Sequence, residues 1–227
     1  MCDYEHSNNK YLLLRRFFIF KKENMSVETK KQRIIVGPCA LESREHAQIS
    51  RASAQELGIN TVRMNLWKPR TSPGFSGVGR AGIPWLREAA EEGITPALEV
   101  LHEDQAREVI DAILSVPHAT LVLWIGSRNQ NHEIQQKIGA AVAGNDRVTL
   151  MIKNQPWRDE KHWKGIVEHV LVGGASLSQL LLCHRGFAPW DPSETELRNI
   201  PDIEMAHNVR NELKLPLILD PSHIGGK

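Results

Sequence analysis

Residues 63–71 read Arg63-Met-Asn-Leu-Trp-Lys68-Pro-Arg70-Thr71, two guanidinium groups, an ammonium and a hydroxyl with no carboxylate among them. Pro69 and Pro73 fix φ and disfavour helix at the residue before each, so the stretch reads as a stiffened loop. Lysine and arginine are seldom buried without a counter-charge. Such a loop therefore asks for an external anion, a phosphate or a carboxylate. Further along, Gly126-Ser127-Arg128-Asn129, Lys153-Asn154 and His184-Arg185-Gly186 each present a cation just after an apolar run, and Asp220-Pro221-Ser222-His223 follows another. A solvated basic loop explains any one of these. Cations delivered from four separate runs point to a polyanionic ligand. Cys39, just past Gly37-Pro38, and His223 add a thiol and an imidazole. That is a borderline-soft pair suited to Zn, Fe, Co or Mn together with further carboxylates. A lone cysteine is more often a small buried hydrophobe, a reading that suits Cys183, inside an apolar run, better than Cys39.

The elements that must position these groups repeat regularly from Arg33 onward. Short apolar runs alternate with amphipathic stretches, the pattern of βα units and a parallel sheet. The runs predict strands at 34–37, 60–64, 95–100, 120–125, 148–152, 179–183 and 216–219. Ser43 is placed to cap a helix that stops near Gly58. Trp163, Ile166, Val167, Val170 and Leu171 form a core-facing helical stripe with Gly173 as its stop, and Ile203, Ala206, Val209 and Leu213 form a weaker one. A doubly wound nucleotide fold is expected to carry a glycine-rich turn after its first strand. Here that turn is Gly37-Pro38-Cys39-Ala40, which cannot cradle a pyrophosphate. The expectation is therefore an α/β chain of the (β/α)8 barrel type, whose active site lies at the C-terminal ends of the strands.

A chain of 227 residues with 41% hydrophobic and 24% charged residues suits one ordinary globular domain. The net charge of +1 gives no bulk attraction to nucleic acid or to an anionic membrane, so an anion site must be local. Three cysteines without a spacing pattern point to a reducing, cytoplasmic setting. Residues 1–32 differ from the rest and are expected to be a poorly ordered extension. Their apolar stretch from Tyr11 to Phe20 is split by Arg15 and Arg16, too short and too charged to span a bilayer, and Met25 is a plausible start. The barrel is expected over 33–227.

Taken together, Gly37-Pro-Cys39-Ala-Leu-Glu-Ser, Lys68-Pro-Arg-Thr-Ser-Pro with Phe75-Ser-Gly-Val-Gly, Ile125-Gly-Ser-Arg128-Asn, Ile152-Lys153-Asn, His184-Arg-Gly-Phe and Asp220-Pro-Ser-His223 resemble the signatures of class I 3-deoxy-D-arabino-heptulosonate 7-phosphate (DAHP) synthase. The Lys-Pro-Arg-Thr string separates them from the related Kdo-8-phosphate synthases, which carry an Asn-Arg version. The His-Arg-Gly-Phe form is similar to members fused to a chorismate mutase domain, which here would lie beyond the end of the chain. The resemblance implies condensation of phosphoenolpyruvate (PEP) with erythrose 4-phosphate, the entry to the shikimate pathway of aromatic amino-acid biosynthesis. It implies that Arg63, Lys68, Arg128, Lys153 and Arg185 hold PEP and that Arg70 and Thr71 take the aldose phosphate. Cys39 and His223 would be two of four ligands to a divalent metal. Lys68, Asp220 and His223 would take part in catalysis, Asp220 by orienting substrate or water, with Glu99 a weaker candidate. A homo-oligomer is expected.

One departure stands out. The family's other two metal ligands, a Glu and an Asp, lie on and after the eighth strand, and only seven strands are readable before Lys227. An incomplete barrel is the expectation, either a fragment of a longer protein or a chain without catalysis that binds phosphorylated ligands. Another PEP–aldose synthase, of the Kdo-8-phosphate type, is the alternative chemistry.

Overall fold

Branched and aromatic apolar residues packed closely into short runs, with a helical stripe between each pair, leave the chain little choice but to lay strands side by side and cover them with helices. The computed structural model describes residues 34–69 and 73–225. In it six strands, β1 (Thr61–Arg63), β2 (Thr95–Glu99), β3 (Leu121–Ile125), β4 (Val148–Lys153), β5 (Leu180–His184) and β6 (Leu217–Leu219), pair in parallel in chain order. Between them run α1 (Arg44–Glu56), α2 (Ile83–Glu91), α3 (Glu103–Leu114), α4 (His132–Val142), α5 (Glu160–Val172) and α6 (Ile203–Leu213), and a one-turn α7 (Pro221–Ile224) follows β6. Strand order equal to chain order is the winding of a (β/α) barrel; a doubly wound sheet reverses its order once. Residues 33–227 form one compact unit. The expected extension over 1–32 lies outside the described residues. Among the described residues no helix is long and apolar enough to cross a membrane.

The period of two along each strand divides the core into two layers. Val62, Leu98, Leu123, Ile125, Leu150, Ile152 and Leu182 pack with Trp163, Ile166, Val167, Val170 and other helix residues. Each such side chain, removed from water, contributes about 1.5–3 kcal/mol. The alternate set, Ala97, Trp124, Met151, Leu181 and Cys183, packs in a second, smaller cluster joined by Ile35, Val122 and Ile218. That second cluster faces the barrel interior, and the same phase carries Arg63, Glu99, Lys153, Arg185 and Asp220 to the C-terminal end of the sheet. α3, α4 and α5 start within seven residues of the strand before them. Ser43, Asn131, Asp159 and Asp202 each accept a hydrogen bond from the backbone three residues on, capping α1, α4, α5 and α6.

Two expectations need correction. The strand predicted at 34–37 is a single parallel bridge, Val36 to Val62, held by Val36 N to Thr61 O (3.3 Å) and Arg63 N to Val36 O. Pairing stops because Gly37 turns the chain with φ +139°, where a Cβ would lie 2.4 Å from the Arg63 carbonyl oxygen. The expected stop at Gly173 holds, since α5 ends at Val172 with Gly173 as its C-cap. Gly173 keeps helical backbone (φ −64°), and Gly174 makes the turn at φ +113°. Glycine is required at 173 by close packing, since a Cβ there would sit 2.1 Å from the Gln136 carbonyl of α4. In α6 the buried stripe is Met205, Ala206 and Val209, while Ile203, at the first turn, is exposed.

Candidate active site

Trp124, on the interior face of β3, is the residue around which the strand ends converge. Its indole is buried, and two cations lie over its ring, the Arg63 guanidinium carbon at 5.7 Å and Lys153 Nζ at 5.0 Å from the centroid. Its Nε1 donates to Glu99 Oε2 at 3.3 Å. An electron-rich ring face holds cations without neutralising them, unlike a carboxylate. Burial pushes the Glu99 carboxyl above the usual range, opposed by the charge of Lys153, the Trp124 hydrogen bond and the charges of Arg63 and Arg128.

The four strand-end cations differ in their partners. Arg63 donates to Cys39 O at 2.9 Å and approaches Cys39 Sγ at 3.4 Å, which holds the cysteine beside the β1 end. Arg128, exposed in the loop after β3, reaches Pro69 O at 3.4 Å and so touches the loop that begins at Lys68. Arg185 is 8% exposed. Burial pulls its pKa below the ordinary value; Asp220 opposes this, and Arg198 and Arg128 add to it. Among the described residues Arg63, Lys68, Arg128 and Arg185 enter no salt bridge. Lys153 breaks the expected pattern of cations without a protein partner. Its ammonium lies 2.9 Å from Asp220 Oδ2, with the two side chains only 8% and 13% exposed. Lys68 is half-buried at the loop neck, where its N–H donates to Ser76 O (2.7 Å). Arg70 and Thr71 lie outside the described residues.

Asp220 and His223 form one unit. Asp220 Oδ2 receives both Lys153 Nζ and His223 Nδ1 (2.8 Å), and Asp220 also caps α7. Burial disfavours the Asp220 charge, but the His223 hydrogen bond and Lys153 prevail and hold its carboxyl well below the usual range. For His223 the Asp220 hydrogen bond favours the charged ring, yet burial with Lys153 and Arg185 leaves the pKa lowered. A neutral ring that donates from Nδ1 to a carboxylate keeps its lone pair on Nε2, the arrangement of a metal-ligating histidine backed by an acid. The exposed Cys39 thiol is the second donor the sequence suggested. In type the two suit a borderline divalent ion. Among the described residues no group of three or more His, Cys, Asp or Glu converges to hold one.

Several residues of the site escaped sequence reading. Trp124 is one. Asn65, buried, donates to Cys39 O (2.9 Å) and accepts from Glu99 N (2.8 Å), tying the first turn to the end of β2. Arg198 and Asn199 strap the α7 turn, their N–H groups donating to Ile224 O and the Asn199 amide to His223 O. The detectable signal was a polar residue one or two positions past a strand-end cation, as Asn65 stands to Arg63.

His184, fully buried at the end of β5, packs against Trp163 (5.8 Å between centroids) and Phe187 (5.4 Å). Its Nε2 accepts from Asp202 N at 2.9 Å, which a protonated ring cannot do. Burial lowers its pKa, with Asp202 opposing and Arg185 reinforcing. The folded value is depressed, so the stabilisation is complete above the ordinary histidine pKa of about 6.5 and is lost as pH falls through the folded value. Urea midpoints are expected to decline as the buffer is taken below pH ~6.5, and His184→Asn is expected to flatten that decline. An unaltered pH profile in the variant would remove His184 as its cause.

A parallel βα sheet wound in chain order, with cations at the C-terminal ends of its strands, has the architecture of a (β/α) barrel. The sequence profile described as the DAHP synthetase I family matches residues 18–227. The chain therefore belongs to the DAHP synthetase I family. It is 32% identical over 202 residues to the phospho-2-dehydro-3-deoxyheptonate aldolase of Thermotoga maritima, a match covering 86% of this chain and 53% of that protein. The crystal structure of phospho-2-dehydro-3-deoxyheptonate aldolase (DAHP synthase) from Thermotoga maritima is similar with a TM-score of 0.69 at 31% identity, over 85% of this chain and 52% of that one. A truncated form of the 3-deoxy-D-arabino-heptulosonate 7-phosphate synthase from Thermotoga maritima is similar with a TM-score of 0.67 at 29% identity, over 85% and 65%. The chain thus spans about half the length of the curated relative it matches.

Proposed function

We propose that this chain carries the substrate-binding mouth of a 3-deoxy-7-phosphoheptulonate synthase, which condenses phosphoenolpyruvate with erythrose 4-phosphate. The observation that carries the reading is the meeting of Arg63, Arg128 and Lys153 around Trp124 and Glu99, with Arg185, from a fourth strand end, beside Arg128 and Asp220. PEP brings a carboxylate and a phosphate to that mouth, and Lys68 closes on it from the loop after β1. Arg70 and Thr71 take the phosphate of the aldose. C3 of PEP, using the electron pair of its double bond, attacks the aldehyde carbon, and the aldehyde oxygen takes up a proton. C2 receives the oxygen of water, whose two protons pass to the aldehyde oxygen and to the departing phosphate, and the bond from C2 to the phosphate oxygen breaks, leaving the ketone of the product and inorganic phosphate. The cations hold the reacting atoms together and stabilise the charge carried to the departing phosphate. Asp220 fixes Lys153 and the His223 tautomer. Cys39 and His223 would hold a divalent metal, which when bound supplies a Lewis acid for the aldehyde.

Calorimetric titration tests this reading. The folded chain should bind PEP, and should bind erythrose 4-phosphate in preference to arabinose 5-phosphate. Arg70→Ala should weaken erythrose 4-phosphate binding by about 1.5–3 kcal/mol, the range for a hydrogen bond to a charged group, and leave PEP unaffected. Equal losses for both ligands would show the division of the loop to be wrong, and no PEP binding by the folded chain would overturn the reading.

A further inference from the structure

β4 and β5 pair as far as Lys153 and Cys183, and the last link of their regular ladder is Asn154 N to Cys183 O at 3.2 Å. Beyond that point the ladder is interrupted, and the two segments are next joined backbone to backbone at Ala188 N to Pro156 O (2.6 Å). The Gln155 amide folds the departing loop on itself, donating to Trp157 O (2.8 Å) and Asp159 O (2.6 Å). In the gap between these links lie Arg185 and Gly186, just past β5, whose backbone groups at this depth need partners. The Asn154 side chain supplies them. Its Oδ1 accepts from Arg185 N at 2.8 Å, and its Nδ2 donates to Gly186 O at 2.9 Å and to Gln155 O at 2.8 Å. A carboxamide has one acceptor and one donor group in the plane, as a peptide unit does. It therefore stands in for the missing residue of β4 and extends the pairing across the two strand ends. Asn154 is fully buried and all of its bonds are made within the protein.

We propose that Asn154 is the positioning residue that sets Lys153 and Arg185 side by side as one anion clamp. It adjoins Lys153 in the chain and grips the backbone of Arg185 directly, so it fixes the spacing between cations that otherwise repel. Arg185, 8% exposed, depends on this grip, because its own side chain enters no salt bridge among the described residues. The inference rests on the reading of the mouth as a PEP site, and the experiment separates the two.

Calorimetry with PEP and hydrogen exchange at the Arg185 amide, both on the full chain, decide it. In Asn154→Ala the dissociation constant for PEP should rise tenfold or more. The Arg185 amide should lose its protection while Leu182, inside β5, keeps its own. Asn154→Asp retains the acceptor for Arg185 N–H and lacks both donors. It should fall between the two, and it carries the test if the alanine variant does not fold. Gln155→Ala is the control, equally buried but bonded away from the mouth, and should lower the melting temperature without moving PEP affinity. Unchanged affinity in a folded Asn154 variant, or retained Arg185 protection in Asn154→Ala, would overturn the proposal. If the unsubstituted chain binds no PEP, the functional reading fails alone, and Arg185 exchange still decides whether Asn154 holds the strand end.

Discussion

Replacing Arg128 with alanine is expected to remove measurable PEP binding while leaving the fold intact. Arg128 is exposed, and its hydrogen bond within the protein is a long one to Pro69 O (3.4 Å). Truncation therefore deletes no core contact and opens no cavity. Its charge, moreover, works against the neighbouring cation, since it lowers the pKa of Arg185. Without ligand, losing Arg128 relieves Arg185 but removes a charge that favours ionised Glu99, so stability should change little. With ligand, the effect is large. Loss of one charge-assisted contact in a partly closed site costs about 2–4 kcal/mol. At room temperature that is roughly a 30- to 900-fold rise in Kd. Arg87→Ala, which breaks an exposed pair with Glu91 on α2, is the matched control and should leave Kd unchanged. Calorimetry on both variants, with thermal melts alongside, checks the expectation. An Arg128→Ala protein that binds PEP as tightly as its parent would detach this loop from the site.

Much of the site was legible because strands obey a period of two. Arg63, Lys153 and Asp220 each stand at or just past a strand end, in phase with the interior residues Ala97, Met151 and Ile218. Residue type and phase are both sequence properties, so the placement could be read directly. Pairing across strands is not such a property. Nothing local to Lys153 shows that Asp220, which follows β6, lies 2.9 Å away. Nothing local to Trp124 shows cations from β1 and β4 over its ring, and in sequence it reads as one more apolar residue of a run. The first strand was overestimated for a related reason. Its apolar run is real, but the ladder depends on Gly37, whose positive φ turns the chain away after Val36.

The largest loss of stability is expected from Asp220→Ala. Lys153 and Asp220 are 8% and 13% exposed, so neither charge is well solvated once its partner is gone. Removing one member of a buried pair typically costs about 3–5 kcal/mol, because the other charge remains in a poorly solvated place. The Trp124 face, 5.0 Å from Lys153 Nζ, compensates only in part. The same substitution removes the cap of α7 and the partner of His223 Nδ1. Lys153→Met should cost less, since Asp220 then keeps His223 and the field of Arg185. The double variant Lys153→Met/Asp220→Ala should recover part of the loss, and the cycle of urea denaturations at neutral pH isolates the coupling. The sign with pH follows from the lowered Asp220 pKa. Its stabilisation is complete above the unfolded aspartate value of about 3.9 and is lost only as pH falls through the folded value. The unsubstituted chain should therefore keep this contribution throughout the mildly acidic range, with the gap between it and Asp220→Ala narrowing only in strong acid. Additive single and double variants, or a gap that closes near neutrality, would mean that the pair does not hold the mouth together.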